Sequence, residues 1–362
     1  IEGRQPPRDR LRHAALCRGI RVHRARQRHA ADHRARHLPD DTVKIALLVL
    51  VAFIAWCGSP RHAQAESCTA TASNVSFGSV SPISNAPVAA TGTVSVTCTW
   101  STVSLTPNVL VCLNLGGTSP RSLVNGSNAM QYDLYLDGGH SVAWGSVYSG
   151  TTPASVTLVK PALGTSASAT VTVYGQITGN QPTVPTTGNS TTIYSQTFGG
   201  NTTSINTGFY LLGAPTCATL TTSNGTFPFS ATANVVNNCN ISATNVSFGT
   251  ASLLSGSLTA SGSITAQCTN GDAWQIALNG GSSGSVTARQ MQRSGGGGAI
   301  GYGLYTDAAR SIAWGDGTGG SSTVTGVGTG TSQVVTVYGA VPAQTTPAPG
   351  NYSDTITATI SF

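Results

Sequence analysis

The sequence predicts an all-β protein made of two tandem antiparallel β-sandwiches, the second lacking its last strand. Short runs such as TVSVTC, ATVTVYG, VVTVYG and TITATISF alternate with a period of two, the signature of half-buried strands. Turn dipeptides such as Asn125-Gly126 and Asn279-Gly280 separate them. One pattern also occurs twice along the chain, so the fold is one unit used two times. No stretch carries a convincing helical period.

The chain has 362 residues, enough for two domains that each bury a core. Its charge is uneven. Eleven of the 18 Lys and Arg residues and five of the 7 His lie in the first 40 positions, and the basic balance belongs to that segment alone. Residues 1–42 read as translation from a start set too far upstream, with Val43 as the initiator; the alternatives are a disordered basic leader that binds nucleic acid, or a tag, as the opening Ile1-Glu2-Gly3-Arg4 suggests. Residues 43–65 read as a signal peptide, because an apolar run from Ile45 to Trp56 is followed by Ala63-Gln64-Ala65. That run is too short for a membrane span of roughly 30 Å. Cleavage is expected after Ala65, and Trp56 ahead of Cys57 argues against lipid anchoring. Residues 66–362 hold five basic and seven acidic side chains, which excludes the clustered positive face that nucleic acid requires.

Within the exported part, Cys68 and the run Asn74 to Gly78 return as Cys239 and Asn245 to Gly249. Tyr132 to Gly145 returns as Tyr302 to Gly315, Thr172 to Gly175 as Thr336 to Gly339, and Tyr194 to Thr197 as Tyr352 to Thr355. The division is therefore an N-terminal domain at 66–234 and a C-terminal domain at 235–362. Six cysteines in an exported chain point to disulfides. The repeated spacing pairs Cys68 with Cys98 and Cys239 with Cys268, leaving Cys112 for Cys217. Residues shared by both copies, Trp144, Trp314, Tyr135, Tyr305, Phe77 and Phe248, are core candidates.

Function should sit where the copies differ. After its last matched strand the first copy continues through the alternating stretch Thr226 to Val236, which can supply a closing strand, whereas the second stops at Phe362. A sandwich short of its last strand leaves an unpaired edge beside an open apolar groove, which a strand donated by another chain would fill. Ile356, Ala358, Ile360 and Phe362 alternate along the expected last strand and mark the candidate edge for a donor strand or a chaperone. Only Glu66 and Ser67 precede Cys68 in the mature chain, so the chain is expected to accept a strand without giving one, and to occupy the end of a fibre.

The stretches SATNVSFG (Ser242 to Gly249), LYTDAARSIAWGDGTGG (Leu304 to Gly320) and VYGAVPAQTTPAPGNYSDTITATISF (Val337 to Phe362) resemble the spore coat U domain family, subunits of archaic chaperone-usher pili. The resemblance covers nearly all of residues 66–362 and is looser in the first copy, around 101–112 and 146–170. It implies immunoglobulin-like sandwiches, an N-terminal adhesin domain and a C-terminal pilin domain of incomplete fold, with a periplasmic pilus chaperone, an outer-membrane usher and the next pilin subunit as partners. It also implies attachment to an abiotic or host surface and biofilm formation.

Catalysis finds no support in the residues. The exported part has one histidine, His140, answering Arg310 in the other copy, and no base for a Ser-His-Asp site. One His among scattered Asp residues makes no metal site, and no cofactor is expected. The Gly-rich stretches Gly315 to Gly320 and Gly326 to Gly330 read as loops rather than phosphate cradles. Apolar residues peculiar to the first copy are the surface-binding candidates: Trp100, Leu105, Val109, Val147, Tyr148, Phe209, Tyr210, Leu211 and Leu212. They favour a tip that grips surfaces over a lectin-like glycan site or a coat protein without a ligand.

Overall fold

The computed structural model describes residues 66–362. The basic leader 1–42, the signal segment 43–65 and Cys57 lie outside the described residues. The first sandwich comprises β1 (Ser67–Ala72), β2 (Val75–Val80), β3 (Val88–Thr99), β4 (Asn108–Leu115), β5 (Arg121–Asn125), β6 (Asn128–Tyr135), β7 (Ala154–Val159), β8 (Ser166–Ile177), β9 (Thr192–Phe198), β10 (Thr203–Tyr210) and β11 (Phe229–Val235). The second comprises β12 (Cys239–Ala243), β13 (Leu258–Cys268), β14 (Ala273–Leu278), β15 (Arg289–Arg293), β16 (Ala299–Tyr305), β17 (Val324–Val327), β18 (Gln333–Val341), β19 (Tyr352–Ser353) and β20 (Ala358–Ser361). No helix among the described residues is long and apolar enough to cross a membrane.

Each sandwich faces a large sheet with a three-stranded one. The orders are β1-β3-β8-β6-β5-β9-β11-β2 against β10-β4-β7, and β12-β13-β18-β16-β15-β19 against β17-β14-β20. The two orders superpose strand for strand until β11 and β2, for which the second sandwich has no counterpart strand among the described residues. β1 and β2 stand at opposite ends of the first large sheet yet only Ser73 and Asn74 separate them, so that sheet curls until its ends nearly meet. Ser73 N–H donating to Thr93 O (2.9 Å) marks where the chain leaves β3 and crosses over.

The period of two explains the packing, because alternate side chains enter the space between the sheets. In β11 the inward residues are Phe229, Ala231, Ala233 and Val235, all buried. Phe229 stacks on Phe198 at 4.8 Å and on Trp144 at 5.9 Å between ring centroids. Trp144 donates its indole N–H to Leu113 O (2.9 Å), and Trp314 donates likewise to Ile276 O (3.1 Å). Trp144, Trp314 and Phe77 are buried, while Phe248, Tyr135 and Tyr305 are half-buried. Disulfides join Cys68–Cys98 and Cys239–Cys268 across directly paired strands, with Cα atoms 4.0 and 4.1 Å apart, and Cys112–Cys217 at 5.7 Å. Each closes a loop worth roughly 3 to 5 kcal/mol in the chain-entropy account.

Two boundaries differ from the sequence division. Val235 pairs with Thr192 and Val80 and is buried as the last residue of β11, so the connection between the sandwiches is Val236–Asn238. Gly326, expected in a loop, stands in β17, where a Cβ would come within 2.3 Å of the Trp274 ring. The indole needs that flat strand surface.

The sandwiches meet end to end. Asn270 donates to Thr183 O (2.9 Å), and Asn189 exchanges hydrogen bonds with both the N–H (3.0 Å) and the carbonyl (2.8 Å) of Ala273. Asp272 is fully buried there; Thr186 hydroxyl donates to its Oδ1, and its Oδ2 has no partner among the described residues. Burial pushes the Asp272 carboxyl above the ordinary value despite the Thr186 bond.

Two measurements test this packing. Phe229→Ala should cost about 3 to 5 kcal/mol in denaturant unfolding, since it empties the space between Phe198 and Trp144; a loss under about 1 kcal/mol would mean that β11 is not part of the core. For Asp272, a raised folded carboxyl value makes stability fall as pH rises from the unfolded value through the folded one. Asp272→Asn should therefore stabilise the chain at neutral pH, and the advantage should vanish as pH falls below the ordinary carboxylate range. A pH-independent difference would refute this account.

Candidate functional site

Two regions stand apart from the repeated scaffold: a pole of the first sandwich, and one flank of the second. At the pole, β3 and β4 are joined by 100–107, β7 and β8 by 160–165, and β10 runs on into 211–216. Backbone bonds bind these loops together: Trp100 N–H donates to Thr165 O (2.7 Å) and Lys160 N–H to Pro107 O (2.7 Å). Asn108 Nδ2 reaches Leu211 O at 3.4 Å. The Glu66 carboxylate accepts from Ser104 and from Thr106 Oγ1 (2.6 Å), which ties the start of β1 to the first loop. Cys217, bonded to Cys112 in β4, anchors the far end of the third loop.

The loops expose what their backbones cannot hide. Val103, Leu105, Leu163 and Leu212 are between 81% and 95% exposed, and Leu211 is exposed beside them. Lys160 is the one cationic side chain on these segments. β8 runs from this pole at Ser166 to Ile177 at the opposite end, where residues 178–190 lead into the junction with the second sandwich. The apolar pole thus points away from the second sandwich.

The structure divides the nine surface-binding candidates. Leu105, Leu211 and Leu212 lie together at the pole. Phe209 and Tyr210 are half-buried on β10 at its base, with Phe209 edge-on to Trp100 at 5.9 Å. Trp100 and Val109 are corrections: both are fully buried, Trp100 because its indole N–H reaches Thr106 O (3.0 Å) inside the loop it begins, and Val109 because it faces inward on β4. Val147 and Tyr148 occupy a short 3-10 turn elsewhere, held by Asn114 Oδ1 to Val147 N–H (2.9 Å) and by Tyr148 hydroxyl to Asn206 Oδ1 (3.1 Å). Tyr148 is exposed there, apart from the loops of the pole. Sequence reasoning missed Val103 and Leu163. The signal available for them was a large apolar residue inside a Ser, Thr, Pro and Gly-rich connection.

On the second sandwich, no strand among the described residues covers the flank that β11 closes in the first. β11 pairs antiparallel with β9, from Phe229 opposite Phe198 to Val235 opposite Thr192, and parallel with β2, from Ala231 opposite Val75 to Val235 opposite Val80. The counterparts of β9 are 350–356 and those of β2 are 246–251. Val75 and Phe77 are buried, while Val246 and Phe248 are half-buried and their segment forms no strand. Tyr194 and Phe198 are buried, while Tyr352 and Ile356 are half-buried. The same side chains lose their cover in one copy only.

Among the four edge candidates, Ile356 belongs to this open wall as the counterpart of Phe198. Ala358 and Ile360 lie in β20, paired with Leu278 and Ile276 of the facing sheet. Phe362 follows β20 and is exposed. The unpaired backbone therefore runs one segment earlier than the alternation of those four residues suggests. Asp354 on this wall accepts from Tyr302 hydroxyl (2.7 Å) and Ser282 N–H (2.9 Å). Burial pushes its carboxyl up, but these bonds and that of Thr355 N–H hold it below the ordinary value. Burial and the Asp354 partner push the Tyr302 hydroxyl up.

The motif shared by both copies around His140 and Arg310 has a structural explanation. Asp137 accepts from the backbone N–H of Ser141 (3.0 Å) and Val142 (2.7 Å), and Asp307 from Ser311 (3.0 Å) and Ile312 (2.8 Å). These loops hold His140 and Arg310 at φ of 54° and 58°.

The chain is 34% identical over 107 residues to Protein U of Myxococcus xanthus, and spans 59% of that relative's length and 28% of its own. Among solved structures it is similar to the CsuC-CsuE chaperone-tip adhesion subunit pre-assembly complex of Acinetobacter baumannii, at 15% identity and a TM-score of 0.44, covering 82% of this chain and 100% of that one. It is also similar to CfaE, the adhesive subunit of CFA/I fimbria of enterotoxigenic Escherichia coli, at 10% identity and a TM-score of 0.29, covering 80% of this chain and 92% of that one. The profile of the Spore Coat Protein U domain matches twice, over residues 59–197 and 225–359. The chain belongs to the Spore Coat Protein U domain family.

Proposed function

We propose that this chain is the adhesive end subunit of a surface fibre assembled by strand donation, exported through the periplasm with a pilus chaperone and passed to an outer-membrane usher. The observation that carries the reading is the asymmetry of the two copies. The first sandwich holds its own closing strand and presents an apolar pole, and the described residues leave the same flank of the second uncovered. An edge with half-buried Val246, Phe248, Tyr352 and Ile356 beside it is an aggregation hazard unless another chain covers it. A strand added there gains main-chain hydrogen bonds and, for four inward side chains, roughly 6 to 12 kcal/mol if each contributes about 1.5 to 3 kcal/mol. In the periplasm the chaperone fills the flank, and in the fibre the next pilin does.

The pole supplies the adhesive end. Val103, Leu105, Leu163, Leu211 and Leu212 stay in water until they meet an apolar surface, abiotic or host, and gain roughly 25 cal/mol for each Å² they bury. Many fibres acting together turn such weak contacts into firm attachment, which promotes biofilm formation.

Two experiments test the reading. Replacing Val103, Leu105, Leu163 and Leu212 with Ser should abolish attachment to polystyrene while each exposed site changes stability by only about 0.5 kcal/mol. Raised salt should leave attachment of the parent chain unchanged. Undiminished attachment of the variant, or inhibition by a simple sugar, would overturn the apolar mechanism. Separately, the chain should resist aggregation only when its second flank is covered, by a co-expressed chaperone or an added strand. A soluble monomer whose second sandwich melts cooperatively without either would refute strand acceptance.

A further inference from the structure

The first sandwich carries, in β11, a template for a strand that has no counterpart in the second sandwich among the described residues. Along β11, read from its N-terminus, the four inward residues are one large (Phe229), two small (Ala231, Ala233) and one aliphatic (Val235). The two grooves share their floor. Gly175 lies so close beneath Phe77 and Val75 that a Cβ would come within 2.8 Å of the Phe77 ring and 3.1 Å of Val75. Gly339 repeats this beneath Phe248 and Val246, at 2.9 and 2.7 Å. Phe248 and Val246 therefore already sit where their counterparts sit under β11, although no strand covers them.

The walls agree in the same way. At the second position, Ala231 faces Gln196, whose Oε1 accepts a hydrogen bond from the Tyr132 hydroxyl (2.6 Å); in the second sandwich Asp354 accepts one from the Tyr302 hydroxyl (2.7 Å). A hydrogen-bonded pair of this kind stands at the same position in both copies. At the third position, Ala233 faces Tyr194, whose counterpart Tyr352 is anchored through its hydroxyl to Ala348 O (2.6 Å). At the first position, Phe229 has Trp144 and Phe198 as neighbours, and Trp314 and Ile356 take their places. At the fourth, Gly350 stands at the position of Thr192, and Arg293, donating to Pro349 O (3.0 Å), packs where a side chain at 350 would begin.

We infer that the open flank of the second sandwich selects a donor strand whose inward residues are, in order, large apolar, small, small and aliphatic, running antiparallel to 350–356 and parallel to 246–251. The inference rests on strand acceptance as proposed above and adds the chemistry of the partner.

The probe is a synthetic peptide with the sequence of residues 226–236, added to the full chain during refolding and followed by amide exchange at 350–356 and by affinity. The peptide should bind and protect those amides, and its Ala231→Leu and Ala233→Leu forms should bind about tenfold to a hundredfold more weakly, because overpacking a filled space has no room to relax. A peptide with Val at all four inward positions should also bind more weakly. Equal or tighter binding of the Leu or Val forms overturns the selectivity while leaving strand acceptance standing. Failure of all four peptides to bind overturns strand acceptance and this inference together.

Discussion

Everything distinctive in this molecule depends on one strand pairing, the insertion of β11 between β9 and β2. Its backbone satisfies two edges at once, and its inward side chains seal the space above Trp144, Phe198 and Tyr194. Where the pairing exists, 75–80 is a buried strand. Where it does not, the same residues at 246–249 lose regular structure, because β11's counterpart would have been their only partner. Backbone polar groups at a sheet edge must find partners or stay in water.

The same pairing sets the geometry of the whole chain. β11 continues through Val236, Asn237 and Asn238 directly into β12, so the strand that closes the first core is also the tether of the second sandwich. Asn238 Nδ2 donating to Ser81 Oγ (3.1 Å) and Thr269 Oγ1 accepting from Asn238 N–H (3.0 Å) hold that tether between the two bodies. With the junction at one end of the first sandwich, the loops 100–107, 160–165 and 211–216 are left at the other.

Charge has a small part in this construction, and the copies use it differently. Arg121 and Asp133 form a buried ion pair in the first sandwich, with Arg121 also donating to Trp144 O (2.8 Å). Its counterpart Arg289 is buried without a carboxylate in contact; it donates instead to the carbonyls of Asn279 (2.7 Å), Val286 (2.8 Å) and Trp314 (2.9 Å). Burial pulls the Arg289 guanidinium below its ordinary value, and five donors in a fixed fork let carbonyls alone satisfy it.

The sequence by itself determined the alternating strands, their doubling and two disulfide pairs, because these follow from a period of two and from the repeated spacing, while the closing strand at Thr226 to Val236 and the Cys112–Cys217 pair were legible as what the repeat leaves without a counterpart. It could not determine which apolar residues of the first copy remain in water. Trp100 and Leu105 belong to the same insertion, yet one is buried because its indole finds Thr106 O and Phe209, and the other projects. In a connection without alternation, burial is decided by what other loops arrive from elsewhere in the chain, here 160–165 and 211–216. The open wall was hidden for a related reason: Ile356, Ala358 and Ile360 alternate smoothly in sequence, but the chain changes sheets between Asp354 and Ala358, and only the tertiary pairing of β20 with β14 reveals where the uncovered edge lies.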